Sequence, residues 1–285
     1  MQIHRFEDPK TFLERVDSFL LAHEAENNLI YGLASVLVQT PYRYGTEFPY
    51  LATVEEDGRV LLAALQTPPH NLILSLTGDQ EAMELLVRDT LQTNPALPGV
   101  NGPALTSKSF VAKRQYLTGQ SYYKGMSMRI YRLDRVNPVT GVSGQARPAA
   151  EADFSRLVDW IAAFSAEATQ QEIDASQAQN TLKRYLSTPN SGIWVWEDGE
   201  VVSMSGYARS TPNGISISLV YTPPEQRRHG YAGACVAALS QYLLDSGKKF
   251  CTLYTNLSNP TSNHIYQQIG YYPICDADEY RFDER

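Results

Sequence analysis

Leu219 to Gly233 reads LVYTPPEQRRHGYAG, an apolar strand-like run that passes through a polar loop into the start of a helical pattern. The loop carries Arg227, Arg228, Gly230, Ala232 and Gly233, residue types that at this spacing can hold an anion. Backbone N–H groups at a helix start lack intrahelical partners and sit at the positive end of the helix dipole, so a phosphate can take several hydrogen bonds there. Gly230 and the small Ala232 and Gly233 let a bulky polyanion approach the main chain, while Arg227 or Arg228 can pair with a phosphate oxygen. The stretch lacks the Gly-Lys-Ser/Thr ending of a P-loop and the three glycines of the dinucleotide fingerprint. Taken alone, it also reads as a solvated Arg-Arg turn before an ordinary helix.

The elements around the loop follow from hydrophobic spacing. From Asp153 a helical pattern carries Leu157, Trp160, Ile161 and Phe164, and Ala175 to Leu186 is a second helix. Ile193–Trp196 and Val201–Ala208 are strands on either side of Asp198-Gly199, a hairpin signal. Ile215–Tyr221 is a strand, Gly230–Asp245 a helix, Phe250–Thr255 a strand, Asn259–Ile269 a helix and Tyr280–Phe282 a last extended piece. The same order recurs upstream: strand Gln2–Phe6, helices Pro9–His23 and Ala25–Leu37, and a hairpin of Tyr50–Val54 with Val60–Gln66 around Asp57-Gly58. Strand Asn71–Leu76, helices Asp79–Leu91 and Thr106–Leu117, and a closing strand Met126–Leu133 complete that half. Between the halves, Asn137 to Arg147 gathers Pro, Gly, Ser and Thr, and the periodicity lapses. Hairpins mixed with strand-helix-strand crossovers predict a mixed sheet with helices on both faces.

At 285 residues the chain is long enough for two domains. Its 43% hydrophobic content excludes wholesale disorder. A net charge of −7 gives no cationic field for nucleic acid or an anionic membrane. The opening MQIHRFEDPKTFLERV is charged and has no continuous apolar core, no later segment is apolar enough to span a bilayer, and a cytoplasmic protein is expected. Cys235, Cys251 and Cys275 show neither C-x-x-C nor a histidine at ligand spacing, so no metal is expected.

Two stretches carry a family resemblance. Arg227-Arg228-His229-Gly230-Tyr231-Ala232, after a strand and Pro223-Pro224-Glu225, resembles the R/Q-x-x-G-x-G/A motif of the GNAT superfamily of N-acetyltransferases. Downstream, Asn259 to Tyr271 (NPTSNHIYQQIGY) resembles the N-x-x-A/S-x3-Y-x3-G-F/Y ending of that family. The likeness covers residues 147–285. The first half resembles a degenerate copy with no Arg-Gly loop between Leu76 and the helix from Asp79. The implied fold is α/β: two tandem GNAT-like domains, each a mixed, mostly antiparallel twisted sheet with helices on both faces. The implied boundaries are 1–136, a linker at 137–146, and an acetyltransferase domain at 147–285.

The resemblance implies acetyl-CoA as cosubstrate. The main chain of Val220, Tyr221 and Thr222 would pair with the pantetheine arm, and the Val220 N–H would face the thioester oxygen. Arg227, Arg228, His229, Gly230, Tyr231, Ala232 and Gly233 would surround the pyrophosphate. Asn259 would contact the CoA arm, although Asn-Pro is also a plain helix N-cap with proline at the first helical position. Tyr266 would protonate the departing thiolate; its spacing equally suits a packed core tyrosine. Ile215 to Leu219 carries no carboxylate for the amine proton, which leaves Glu167 as the base, with Glu172 weaker and an exposed helix-end glutamate the plainer reading. Trp160, Trp194 and Trp196 either line an acceptor pocket or pack in the core. The expected protein is a monomeric or homodimeric N-acetyltransferase acting on a small-molecule or peptide amine by direct attack in a ternary complex. The other reading is a non-catalytic acyl-CoA sensor.

Overall fold

A computed structural model of the chain describes residues 1–283. The chain divides into two compact units, Met1–Ile130 with the chain from Ile274 on, and Tyr131–Pro273.

In the first unit, β1 (Gln2–Arg5) leads through α1 (Pro9–Leu21) and α2 (Asn28–Gln39) to the hairpin of β2 (Tyr50–Glu56) and β3 (Arg59–Gln66). Asp8 starts α1 by accepting the Lys10 and Thr11 N–H groups, with Pro9 at the first helical position. The hairpin turns through Asp57 and Gly58 at φ +49° and +74°, the paired left-handed conformations of a twist-matched tight turn. Next come β4 (Leu72–Leu74), α3 (Gln80–Thr93), β5 (Gly99–Pro103) and α4 (Ala104–Thr118). Sequence reading passed over β5, whose GVNGP composition looks like loop. It forms because Val100 fills the core beneath α3 and α4 while its backbone pairs parallel to β4.

The long strand β6 (Tyr122–Leu133) then runs out of the first unit. Its last residues, Tyr131 and Leu133, lie in the core of the second unit. That unit continues with β7 (Gln145–Pro148), α5 (Phe154–Phe164), α6 (Ala175–Ser187), the hairpin β8 (Gly192–Asp198) and β9 (Glu200–Ala208), and β10 (Gly214–Tyr221). Helix α7 (Tyr231–Asp245), β11 (Phe250–Asn256), α8 (Pro260–Ile269) and β12 (Tyr272–Phe282) follow. Strands β7 to β10 pair antiparallel in order, and β10 pairs parallel with β11. The first unit repeats this arrangement with β1 to β4 antiparallel and β4 parallel to β5.

The strand beyond the parallel pair is exchanged between the halves of the chain. In the first unit it is β12, paired antiparallel with β5 and burying Tyr280 and Phe282; in the second it is the end of β6, which neighbours β11. The expected domain ends at 136 and 285 therefore differ from the structural division, because Tyr131 and Tyr280 each pack in the core of the other half. The stretch expected as a linker is also ordered into the second unit, where Asn137 N–H bonds Ile269 O at 2.7 Å.

Each unit has helices on both faces of its sheet. In the second, α5 and α6 cover Val195, Met204, Leu219 and Tyr221, while α7 and α8 cover Ile215, Ile217 and Leu253, with Tyr266 of α8 in the same core. Among the described residues no helix is long and apolar enough to cross a membrane.

Candidate functional site

The strand that delivers the loop is irregular where it needs to be. Pairing of β10 with β11 runs from Gly214 with Phe250 to Ile217 with Leu253, although β10 goes on to Tyr221 and β11 to Asn256. From Ser218 onward the edge of β10 that faces β11 has no strand pairing among the described residues. On the other edge, Ser218 lies opposite Gly206 and Tyr221 opposite Met204, so three steps on β10 match two on β9. The extra residue is a bulge with Leu219 at φ +50°, a conformation costly for a side chain of this shape. Its effect is to put Leu219 and Tyr221 on the α5/α6 face and Val220 on the α7/α8 face.

Past Thr222, a single 3-10 turn at Pro224–Gln226 leads to Arg228 at φ +69° and Gly230 at φ +83°. Gly230 is the residue before α7 and offers no side-chain cap. The backbone N–H groups of residues 228–233 find no acceptor among the described residues. Left-handed residues alternating with right-handed ones curl such amides into a concave anion-binding nest, here continuous with the positive end of a 15-residue helix. A Cβ on Gly230 would sit 2.9 Å from Val142 Cγ2, so both space and backbone conformation favour glycine.

The nest is braced from outside. Tyr231 donates its hydroxyl to Asp198 Oδ2 at 2.6 Å, and Ser143 donates to the same oxygen at 2.6 Å. These two hydroxyls, Ser143 first, hold the Asp198 carboxyl below the usual carboxylate range. His229 stacks on the Tyr231 ring with centroids 5.4 Å apart. Trp196 Nε1 donates to Ser143 O at 2.8 Å, so the expected linker is part of the support.

Arg227 does not turn toward the nest. Its Nε donates to Thr222 O at 2.9 Å and its Nη2 to Glu167 Oε2 at 2.7 Å. Glu167 stands on the single π-helical turn Ser165–Thr169 after α5, and its Oε1 accepts the Tyr221 hydroxyl at 3.3 Å. Burial, and then the charge of Glu167, raise the Tyr221 phenol above its ordinary range. Glu167, read from sequence as the base, is thus held from both oxygens and joins the α5–α6 connection to the loop. Glu172 lies exposed in that connection.

Asn259 caps α8, its Oδ1 accepting the Ser262 N–H at 3.0 Å, and Pro260 takes the first helical position. Tyr266 is 8% exposed and packs edge-on against Tyr271 with centroids 6.0 Å apart. Its hydroxyl has no hydrogen-bond partner among the described residues, whereas Tyr131, Tyr185, Tyr221, Tyr231 and Tyr271 in the same unit all have one. Burial raises the Tyr266 pKa well above the ordinary phenol value, so it keeps its proton.

The three tryptophans do not converge on one pocket. Trp160 of α5 packs against Tyr221, while Trp194 and Trp196 lie on the α7 side, Trp194 against Tyr242 and Trp196 beside Cys235. Sequence reading also missed two hydroxyl pairs beside the fork. Ser203 bonds Tyr221 O at 3.1 Å and Thr222 Oγ1 at 2.9 Å, and Ser218 Oγ lies 2.7 Å from the Tyr185 hydroxyl. Serine on a strand carries no local signal for either.

The sequence model of the Acetyltransferase (GNAT) family matches residues 155–271, a span that contains the bulged strand, the nest and Tyr266. Residues 155–271 thus match the GNAT family. Solved GNAT structures share the architecture at low identity, which speaks for the fold alone. A tandem GNAT protein from the clavulanic acid biosynthesis pathway has a TM-score of 0.59 at 12% identity over 98% of this chain and 97% of its own. A GNAT-family acetyltransferase from Colwellia psychrerythraea gives 0.56 at 10% over 99% and 100%. A Drosophila protein gives 0.67 at 14% over 99% and 98%. Among curated proteins none matches. GNAT proteins are acetyltransferases that use acetyl-CoA, and acetyl transfer in general is the chemistry that the family match over residues 155–271 supports.

The first unit has the counterpart positions filled by its own side chains. After β4, the Leu76 N–H goes to Asn27 Oδ1 at 2.8 Å and the Thr77 N–H to Thr106 Oγ1 at 3.4 Å. The start of α3 is capped by the Asp79 carboxylate, which takes the Glu81 and Ala82 N–H groups at 3.0 and 2.8 Å. A built-in anion sits where the second unit leaves its amides open.

Proposed function

We propose that residues 131–273 form an acetyl-CoA-dependent N-acetyltransferase acting on a primary amine of a small molecule or peptide by direct attack in a ternary complex. The observation that carries this reading is the run of N–H groups from Arg228 to Gly233 that have no partner among the described residues, reached by a short loop from a strand whose edge is open from Ser218. The residues fit the cosubstrate: a nest with no acidic cap suits a pyrophosphate, and a free strand edge suits an amide-bearing arm. When bound, acetyl-CoA supplies an activated thioester. The open edge at Val220–Thr222 binds the arm, the Val220 N–H is assigned to the thioester oxygen, and residues 228–233 hold the phosphates. Arg228, with its side chain exposed, can add a charge-assisted bond to that anion. Arg227 supports the loop through Thr222 and Glu167. Tyr266, protonated and without a competing partner, gives its proton to the sulfur as the C–S bond breaks.

Calorimetric titration of the full chain with acetyl-CoA and with free CoA tests the reading, with Gly230→Glu alongside. Micromolar binding that Gly230→Glu abolishes is the expected result. Wild-type protein that takes up neither ligand overturns the proposal.

A further inference from the structure

Resting on the acetyltransferase reading, we infer that the hydroxyl pair Ser218–Tyr185 receives the attacking amine, and that the acceptor is therefore a weakly basic amine, such as an α-amino group, delivered as the free base.

Three observations converge on this pair. Ser218 is the first residue of β10 past the point where β10 and β11 part, beside the edge assigned to the acyl arm. It lies on the α5/α6 face, where Tyr185 of α6 meets it at 2.7 Å. Both side chains are half-buried, and neither hydroxyl has another partner among the described residues. Gly206 on β9 makes room for the phenol, since a Cβ there would come within 3.0 Å of Tyr185 Cε1. A serine hydroxyl donates once and accepts twice, so bonding to Tyr185 leaves it able to accept an amine N–H.

The charge at this face sets the class of acceptor. Glu167, the carboxylate bonded to it through Tyr221, is neutralised by Arg227, and the fork itself offers only neutral hydroxyls. Among the described residues neither hydroxyl is bonded to a carboxylate, so the pair itself neither pairs with an ammonium nor strips it of a proton. At pH 7 an α-amino group with pKa ~7.7–8.0 has roughly 300-fold more free base than a lysine side chain near 10.4. In the transfer, the amine nitrogen bonds the acetyl carbon and the C–S bond breaks. The thiolate takes a proton from Tyr266. The nitrogen gives its proton to Ser218 Oγ as the serine proton passes to Tyr185 and, by exchange of the phenol proton, to water. Tyr266 is reprotonated by solvent, so one amine and one thioester yield one amide and one thiol.

The test measures thiol release from acetyl-CoA at pH 7 by the full chain, with alaninamide and Nα-acetyl-lysinamide as acceptors. Ser218→Ala, Ser218→Thr and Tyr185→Phe are assayed in parallel, and acetyl-CoA binding is titrated for each. Alaninamide is expected to exceed the lysine probe in kcat/KM by about 10-fold or more, the greater nucleophilicity of the stronger base offsetting part of its protonation. Ser218→Ala and Tyr185→Phe should each lower kcat with alaninamide by roughly 10²-fold while acetyl-CoA affinity holds within about twofold, and Ser218→Thr should recover most of the rate. Equal or better use of the lysine probe, wild-type rates in either hydroxyl-deleting variant, or acetyl-CoA binding without transfer to either amine would overturn the inference and leave the cosubstrate site standing. Failure of the wild type to bind acetyl-CoA instead overturns the reading beneath it.

Discussion

Tyr266 and Tyr271 are neighbouring tyrosines for which deletion of one oxygen should have opposite consequences. In Tyr266→Phe the ring and its edge-on contact with Tyr271 persist, and no hydrogen bond is broken because the hydroxyl has none among the described residues. Stability should change by less than about 0.5 kcal/mol. Turnover should fall by roughly 10²-fold or more, with acetyl-CoA affinity unchanged, because proton delivery to the leaving sulfur is lost. In Tyr271→Phe the missing hydroxyl is the 2.8 Å partner of Ser240 Oγ, and Ser240 is fully buried. Leaving that serine unsatisfied costs about 1–3 kcal/mol, a drop of roughly 2–4 °C in Tm per kcal/mol for a unit of this size, with kcat close to wild type. Steady-state kinetics by thiol release and thermal unfolding by circular dichroism separate the two axes. A Tyr266→Phe protein that is destabilised like Tyr271→Phe, or that turns over normally, would refute proton transfer from Tyr266 and leave it a core residue.

Gly230→Ala places a side chain in left-handed backbone, at about 1–2 kcal/mol, and against Val142, so acetyl-CoA affinity should fall about 10-fold by calorimetry. Gly58→Ala meets the same backbone penalty at φ +74° in open space in the first unit and should lose stability without losing affinity. Because Asn27, Thr106 and Asp79 fill the counterpart positions, the titration should give one acetyl-CoA per chain; two would show that the first unit also binds. Arg147 reaches Asp153 at 2.7 Å and Glu197 at 3.1 Å, and holds the buried Asp153 carboxyl below its usual range. A depressed carboxyl stabilises the fold above its unfolded pKa of ~3.9 and loses that contribution as pH falls through its folded value. Arg147→Met should therefore cost about 1–3 kcal/mol in urea unfolding at pH 7, and the gap to wild type should close in acid; a gap independent of pH would contradict the pairing.

Features governed by neighbours in sequence were legible in advance. The turns at Asp57-Gly58 and Asp198-Gly199, the proline-led starts of α1 and α8, and the Arg-x-x-Gly entry into α7 each depend on backbone preferences that residue type states directly. The α/β architecture and the recurrence of one element order in both halves followed from these. What stayed hidden depends on distant partners. Leu219 gives no local hint of a bulge, since an aliphatic residue at positive φ is held there by the pairing of β9 on one side and the parting of β11 on the other. Glu167 and Arg227 are sixty residues apart, so their pairing, which changes both from independent site groups into a joint support, has no signature along the chain. Strand β5 has the composition of a loop and is made a strand by the groove between β4 and β12. The destination of the two long strands was equally unreadable, because either one has the alternation to complete either core.

That exchange of closing strands bears on how the protein can come into being during translation. The first unit emerges first, yet its core lacks Tyr280 and Phe282 until the segment from Tyr272 has left the ribosome tunnel. The second unit, by contrast, draws Tyr131 and Leu133 from chain already made and can close as soon as α8 is available. The later half should thus mature before the earlier one, with β5 waiting as an unfilled sheet edge in the meantime. A premature stop near residue 270 would strand an incomplete first unit rather than release an intact one, and a cut in the 137–146 segment would divide the molecule without freeing two domains.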